Sequence, residues 1–290
     1  MTWLQRVRRR PLESTDSAIR PNTAAALPNL WAGAGWCRKW LGAVAGSGYN
    51  GAMEEMVERL ADACAGAVGD AMVSVLLHGS LTTGGFRDGD SDIDLLMVVD
   101  HPLRPDQAEA LIAVVRDADL APADGIDLHV VAADVAAFPP REPPLSLFIG
   151  QYHGAPPEVS RDIIEPDLVT ELAMARLGRV LRGASPDVVI GEIPAAWIRD
   201  RGRHWIDVWA GSTGDDEDAA YMVLTACRIW YHAVTGRFCA KQDAGAWALQ
   251  RDSSLSAIAP ALRRLHGEAT AVIEPAGIAA VLAAARTSLG

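Results

Sequence analysis

Two aspartates that alternate along an apolar strand constrain this chain more than any other feature. Residues 91–96 read Ser-Asp-Ile-Asp-Leu-Leu and open a longer apolar run. Successive side chains of a strand point to opposite faces, so Asp92 and Asp94 project together while Ile93 points into the core. Two carboxylates on one face repel each other unless a cation neutralises them, and Mg²⁺ beside a nucleotide takes such oxygen ligands. The pair indicates a metal site, although acids at strand ends are common and Asp-x-Asp alone is weak.

A glycine-serine pair and a third acid extend this pattern in both directions. Gly79 and Ser80 end a strand predicted over 72–77, where glycine permits close backbone approach and amides at a helix start favour phosphate oxygens. Asp127 lies in a strand predicted over 126–131. If that strand neighbours the first, Asp127 joins the cluster as a metal ligand or a general base. By itself, Gly79-Ser80 would be interpreted as an ordinary turn. Asp127 by itself would be interpreted as an exposed residue of an edge strand.

Strands mixed with helices predict a sheet domain over residues 53–193, followed by an all-helical bundle over 194–290. The predicted strands are 72–77, 93–99, 126–131 and 145–149, and the predicted helices of this half are 53–68, a helix around 108–115, and 166–182. In the second half the predicted helices are 216–235 with Gly236 as its C-cap, 241–250, 260–271 and 274–289, after a helical stretch that carries Trp197, Trp205 and Trp209.

Residues 1–52 differ from the rest because they are locally basic and show no sustained hydrophobic period. Acids and a proline follow the arginines at once, so a signal peptide fits poorly. We interpret this segment as a disordered leader, or as the product of a start codon assigned upstream of the natural one. Met53 would be a natural start, since it opens an amphipathic helix.

The charge balance restricts the partners. The chain has 26 Lys and Arg against 37 Asp and Glu, a formal net charge of −11. Such a chain is a poor binder of nucleic acid but attracts a cationic small molecule. No apolar run reaches the length of about 18 residues that a membrane span needs. The four cysteines form no Cys-x-x-Cys pair, so we interpret them as reduced packing thiols of a cytoplasmic protein. We expect a monomer.

The order of these motifs resembles the DNA polymerase β-like nucleotidyltransferase fold: strand, Gly-Ser, about a dozen residues, Asp-x-Asp, then a lone Asp in the next strand. Residues 79–96 are similar to the motif of bacterial aminoglycoside adenylyltransferases of the streptomycin 3″/spectinomycin 9 type. Residues 223–236, followed by Lys241 and Trp247, are similar to the signature of that family's helical C-terminal domain. The resemblance covers roughly Met53 to the C-terminus. It implies an α+β domain with a mixed sheet, then an all-α bundle.

The resemblance implies transfer of AMP from ATP to a drug hydroxyl, with release of pyrophosphate. By this resemblance, Asp92 and Asp94 would hold two Mg²⁺ ions that bridge the ATP phosphates. Gly79, Ser80 and Ser91 would contact those phosphates. Asp127 falls at the position of the family's catalytic base, a glutamate in its best-known members. We favour the base for Asp127 and keep the metal-ligand role open.

The helical half would supply further contacts. Arg228 and Lys241 match cationic residues that reach ATP, although by themselves they would suit a solvated helix face. Trp209 and Asp218 match positions near the drug, and packing of Trp209 on Trp205 in the core is the competing interpretation.

Two departures from the family's dual-specificity members concern streptomycin. Tyr152 stands where they carry tryptophan, and it is a candidate substrate-binding residue that can still stack on a sugar ring of the drug. Gly214 stands where they carry an aspartate, with Asp215 and Asp216 adjoining it. We therefore expect spectinomycin-type acceptors to be preferred over streptomycin.

Three other interpretations remain. The chain could be a nucleotidyltransferase of the same fold that acts on another small metabolite. A tail-adding polymerase would need a basic RNA track, which the acidic body lacks. A non-catalytic nucleotide-binding or antitoxin-like module would tend to be short and to lack the helical half.

Overall fold

The computed structural model describes residues 51–290, so the predicted leader, apart from its last two residues, lies outside the described residues. A mixed sheet of six strands builds the first half of this region. The strands are β1 Met72–His78, β2 Asp92–Val99, β3 Gly125–Ala132, β4 Pro144–Tyr152, β5 Glu158–Ile164 and β6 Arg179–Gly183. They lie side by side in the order β5-β4-β3-β2-β1-β6. Strands β2 and β3 run parallel, and the other neighbouring pairs run antiparallel.

Helices connect and cover the strands. Those of the first half are α1 Gly51–Val68, α2 Gly79–Thr83, α3 Pro105–Asp117, α4 Ala133–Ala137, α5 Leu168–Ala175 and α6 Pro186–Val189. Those of the second half are α7 Ala195–Ala210, α8 Ala219–Thr235, α9 Lys241–Arg251, α10 Ile258–Leu265 and α11 Pro275–Ser288. Helices α4, α5 and α6 pack with the inner strands around one buried apolar cluster that includes Leu76, Leu96 and Leu172. This cluster fixes one face of the sheet on which the polar site is built.

Helix α1 shows how sequence pattern becomes packing. Its apolar face is buried, and the residues on it recur at helical spacing: Met53, Met56, Val57, Leu60 and Cys64. Its other side carries acids that pair with β6, where Glu58 contacts Arg182 and Glu54 contacts Arg179. The predicted helix over 53–68 is therefore confirmed, with its beginning two residues earlier.

The second half is a bundle around α8, whose neighbours are α7, α9, α10 and α11. Gly236 ends α8 in the left-handed conformation, with φ of 68°, as its predicted C-cap role requires. Within residues 51–290, no helix combines the length and apolar character needed to cross a membrane. The predicted boundary at 193/194 falls between α6 and α7.

Two predicted helices end earlier than expected, and two strands were not predicted. The helix predicted over 166–182 ends at Ala175, and the chain then forms β6 on the free edge of β1. Gly178 permits this reversal, because a Cβ there would lie 2.3 Å from the Leu77 carbonyl oxygen. Strand β5 was not predicted, since it is an exposed edge strand of mixed polarity. Helix α10 ends at Leu265, short of the predicted residue 271.

Candidate active site

Strand register brings the three predicted acids to one place. In the parallel pair β2/β3, Asp94 lies directly opposite Asp127, and Asp92 lies two residues earlier on the same face of β2. On the far sides of this row, β1 places His78 beside Asp94, and β4 places Gly150 beside Asp127. The condition set by the sequence, that the strand of Asp127 must neighbour that of Asp94, is met. All three carboxylates are half-buried.

The cluster carries more negative charge than its surroundings offset. Burial, then the neighbouring charges of Asp94 and Asp124, raises the pKa of Asp92 to about 7. Burial raises the pKa of Asp94 to about 6, against a lowering effect from the backbone N–H of Ser80 and from Arg228. Burial, followed by the charges of Asp92 and Asp94, raises the pKa of Asp127 well above its usual value. These carboxylates would be stabilised as anions by an added positive charge.

The donor set fits Mg²⁺ held together with a nucleotide. No three His, Cys, Asp or Glu side chains in residues 51–290 form a ready-made metal cage. Mg²⁺ seldom uses such a cage, because it is held by one or two carboxylates together with phosphates and water. Asp92 and Asp94, two hard oxygen donors on one face, supply the protein's share of that arrangement.

Gly79 and Ser80 lie against Asp94. Gly79 has a φ of 68°, and a Cβ on it would lie 1.7 Å from Asp94 Oδ2, so only glycine allows this approach. The backbone N–H of Ser80 donates to Asp94 Oδ2 at 3.4 Å. The Ser80 hydroxyl is buried and lacks a hydrogen-bond partner among the described residues, which suits a contact to a phosphate oxygen. The hydroxyl of Ser91 accepts a bond of 3.1 Å from the N–H of Arg87 and so braces the intervening loop.

Two cations of the helical half interact electrostatically with the acids. Burial and the charge of Arg228 lower the pKa of Lys241, whereas the charges of Asp92 and Asp94 raise it. Lys241 Nζ lies 5.1 Å from the ring centroid of Tyr221, a cation–π contact. Arg228 places Nη2 3.7 Å from Met174 Sδ on α5. Both side chains are half-buried, which disfavours the solvated-face interpretation.

The residues predicted near the drug are more enclosed than expected. Trp209 is 1% exposed, stacks on Trp205 at 6.2 Å between ring centroids, and meets Tyr221 edge-on, as the core-packing interpretation requires. Asp218 is 8% exposed and stands at the N-cap of α8. Tyr152 is 3% exposed, and its hydroxyl donates to Asp127 Oδ1. The side chains of Trp209 and Tyr152 thus offer little surface to a ligand in this structure.

Glu171 on α5 was missed by sequence reasoning. Its Oε2 lies 3.7 Å from Nδ1 of His78, which is fully buried. Burial, followed by the charges of Asp94 and Asp127, raises the pKa of Glu171 well above its usual value. Its only local signal is an acid inside the apolar helix 168–175. That signal gives no hint of the sheet face on which α5 lies.

Asp167, just before α5, was missed as well, and it ties the two halves together. Its Oδ1 accepts a hydrogen bond from Trp205 Nε1 at 2.8 Å. The same oxygen forms an ion pair with Arg201 at 2.8 Å. Because Trp205 stacks on Trp209, this tie also fixes the aromatic cluster of α7.

Each half of the chain matches a known protein family model. Residues 57–143 match the model of a nucleotidyltransferase domain, and residues 188–286 match that of the aminoglycoside adenylyltransferase C-terminal domain. An aminoglycoside (3″)(9) adenylyltransferase of Klebsiella pneumoniae is 29% identical over 191 residues, which cover 62% of this chain and 72% of that protein. One of Rhizobium radiobacter is 28% identical over 183 residues, which cover 59% of this chain and 67% of that protein.

A solved structure is similar in fold. The spectinomycin adenyltransferase of Enterococcus faecialis, determined with ATP and spectinomycin, superposes with a TM-score of 0.62 at 19% sequence identity. The match covers 81% of this chain and 98% of that one. The α+β fold with a helical second half, predicted from the sequence, is confirmed by this match.

Proposed function

Because the chain belongs to the aminoglycoside adenylyltransferase family, we propose that it transfers AMP from ATP to a hydroxyl group of an aminoglycoside or aminocyclitol antibiotic and releases pyrophosphate. The observation that carries this proposal is the register that sets Asp94 opposite Asp127, where the charges of Arg228 and Lys241 also act on Asp94. The carboxylates and the cations come from different halves of the chain.

The nucleotide would lie between these two sets of charges. Asp92 and Asp94 are the residues that would hold Mg²⁺, which when bound neutralises phosphate charge. Gly79 leaves room for close approach of a phosphate, and the unpartnered hydroxyl of Ser80 is free to bond one of its oxygens. Arg228 and Lys241 would neutralise the charge that grows on the departing pyrophosphate.

Asp127 would act as the general base. It accepts the proton of the attacking hydroxyl, whose oxygen forms a bond to the α-phosphorus of ATP. The bond from the α-phosphorus to the bridging oxygen breaks, and pyrophosphate leaves with that electron pair. A carboxylate within hydrogen-bond reach of the hydroxyl suffices for this proton transfer. Asp127 lies directly opposite Asp94, so the acceptor would be held beside the nucleotide.

For the acceptor, we propose a preference for spectinomycin-type aminocyclitols over streptomycin. Tyr152 is engaged with Asp127 and buried, so it offers no flat surface for a remote sugar ring. Gly214 brings no charge to the position where dual-specificity members carry an aspartate. The carboxylate of Asp216 nearby pairs with Arg264 at 2.6 Å and is not available as a replacement. The net charge of −11 favours a cationic drug of either kind.

We also propose the cytoplasm as the site of action and residues 53–193 and 194–290 as the two domains. Cys64 and Cys227 are buried free thiols, and burial raises the pKa of each to about 12, so neither is set up for redox chemistry. A function that consumes ATP is consistent with that compartment.

The test is an acceptor panel. Purified protein is incubated with ATP, Mg²⁺ and one antibiotic at a time, including spectinomycin, streptomycin and a 2-deoxystreptamine aminoglycoside. We expect pyrophosphate release with spectinomycin and a product heavier than the drug by one adenylyl group. Absence of both signals for every drug would contradict the proposed function. Release of pyrophosphate with another hydroxylated metabolite alone would redirect it to that acceptor.

A further inference from the structure

Tyr152, the last residue of β4, contacts the proposed base directly. Its phenol hydroxyl donates a hydrogen bond to Asp127 Oδ1. The contact is internal, since the side chain is 3% exposed. A hydrogen bond from a neutral donor to a half-buried carboxylate is among the stronger polar contacts in proteins.

Two glycines make room for this contact. A Cβ on Gly125 would lie 2.5 Å from Tyr152 Cδ1, and a Cβ on Gly150 would lie 3.0 Å from Cε2. Gly125 pairs with Tyr152 across β3 and β4, and Gly150 pairs with Asp127 two residues further along β3. Neither glycine has a left-handed backbone, so close packing is what restricts both positions. At Gly125 the backbone oxygen of Gln151 lies as close to the added Cβ, at 2.5 Å, as the Tyr152 ring does. The Tyr152 ring therefore packs against the backbone of Gly125 and Gly150.

The neighbouring charges make orientation of this carboxylate necessary. Asp92 and Asp94 repel Asp127, and Glu171 adds a third acid nearby. Like charges disfavour an ionised carboxylate beside them, and a hydrogen bond donated to the charged form opposes that effect. Among the described contacts of Asp127, the Tyr152 hydroxyl is the side-chain donor.

We propose that Tyr152 is a positioning residue of the transfer reaction, whose hydroxyl holds Asp127 through Oδ1 and leaves Oδ2 to take the acceptor's proton. This inference rests on the proposed function. The proton from the acceptor goes to Asp127, and Tyr152 keeps its own proton throughout. Tyr152 therefore acts through the base. The sequence had suggested a different role for it, stacking on the drug.

The test removes one oxygen atom. Tyr152→Phe keeps the ring packed against Gly125 and Gly150 and deletes only the hydrogen-bond donor. We expect kcat to fall about 10-fold or more, in keeping with a lost bond to a charged group, while KM for ATP and for the acceptor changes less than about 2-fold. The matched control is Tyr231→Phe, which deletes the same atom on α8, where the ring lies edge-on to Trp247. It should leave kcat, KM and melting temperature near wild type.

A second measurement separates positioning from a general structural effect. In an Asp127→Asn background, Tyr152→Phe should cost nothing further, because its partner is already disabled. An equal fold-loss in both backgrounds, or a raised KM at unchanged kcat, would overturn the inference. The split between KM and kcat decides the matter if the double variant is too slow to measure. Wild-type transfer with full kcat in Tyr152→Phe refutes the inference alone, whereas a wild type that transfers nothing refutes the proposed function with it.

Discussion

Replacing Gly79 with alanine should disable the site by displacing Asp94. The new Cβ would lie 1.7 Å from Asp94 Oδ2, 2.4 Å from Cγ and 2.8 Å from Cβ. Rotation of the carboxylate alone does not clear these contacts, because Asp94 Cβ is fixed by strand β2. The acidic group must move by more than an ångström, and a displacement of about 1 Å in a catalytic group can cost on the order of 100-fold in rate.

Gly84→Ala is the matched control, since it carries the same backbone penalty without the collision. Gly79 and Gly84 have φ of 68° and 75°, in the left-handed region, and a Cβ on Gly84 would meet nothing within 4 Å. Each alanine should cost roughly 1–2 kcal/mol in backbone strain. That corresponds to a loss of roughly 2–3 °C in melting temperature for a chain of this size.

The assay measures thermal unfolding and pyrophosphate release for both variants. We expect the melting temperature of each variant to fall by at least the amount that backbone strain accounts for. The melting temperature of Gly79→Ala should be the lower of the two. Turnover should fall about 100-fold or more in Gly79→Ala and stay within about 3-fold of wild type in Gly84→Ala, whose backbone strain leaves Asp94 in place. Equal activity losses in the two variants, or full activity in Gly79→Ala, would refute the reasoning from the Asp94 contact.

Further predictions concern the acids and the acceptor. Asp92→Asn and Asp94→Asn should each abolish transfer while the melting temperature holds or rises, because each removes repulsion; substantial turnover in either purified variant would contradict the metal assignment. Asp127→Asn should retain Mg²⁺-dependent ATP binding in calorimetry and lose turnover by about 100-fold or more, whereas lost ATP binding would make Asp127 a ligand. Spectinomycin should exceed streptomycin in kcat/KM by roughly one to two orders of magnitude. Gly214→Asp, whose Cβ meets nothing within 4 Å, should raise streptomycin use more than spectinomycin use, and equal changes would exclude this position from the acceptor site.

Local pattern was enough to predict the acids. Alternation along one strand put Asp92 and Asp94 on a shared face, and the apolar neighbours of Asp127 marked a second buried strand. The helical half was equally readable, since glycine and proline punctuate helices whose periodicity is strong. Strand β6 could not be predicted, because its partner is the edge of β1 more than 100 residues earlier in the chain. Its own sequence continues a helical pattern.

Contacts that depend on register and layer order escaped the sequence as well. The bond between Tyr152 and Asp127 exists because β4 runs antiparallel to β3 with Gly125 opposite Tyr152. Glu171 reaches the cluster because α5 lies over that face of the sheet. Neither the Tyr152–Asp127 hydrogen bond nor the position of Glu171 corresponds to a recognisable residue spacing in the sequence. The enclosure of Trp209 also follows from packing of the helical half, where its ring stacks on Trp205 and meets Tyr221 edge-on.

The most direct test of the central claim follows the phosphorus of ATP. The purified chain is incubated with spectinomycin, Mg²⁺ and ATP that carries radioactive phosphorus at either the α or the γ position. Adenylyl transfer predicts that α-label moves onto the drug while γ-label leaves as pyrophosphate. The Asp94→Asn variant should move neither label. Transfer of γ-label to the drug, or retention of α-label in free nucleotide throughout, would contradict the account.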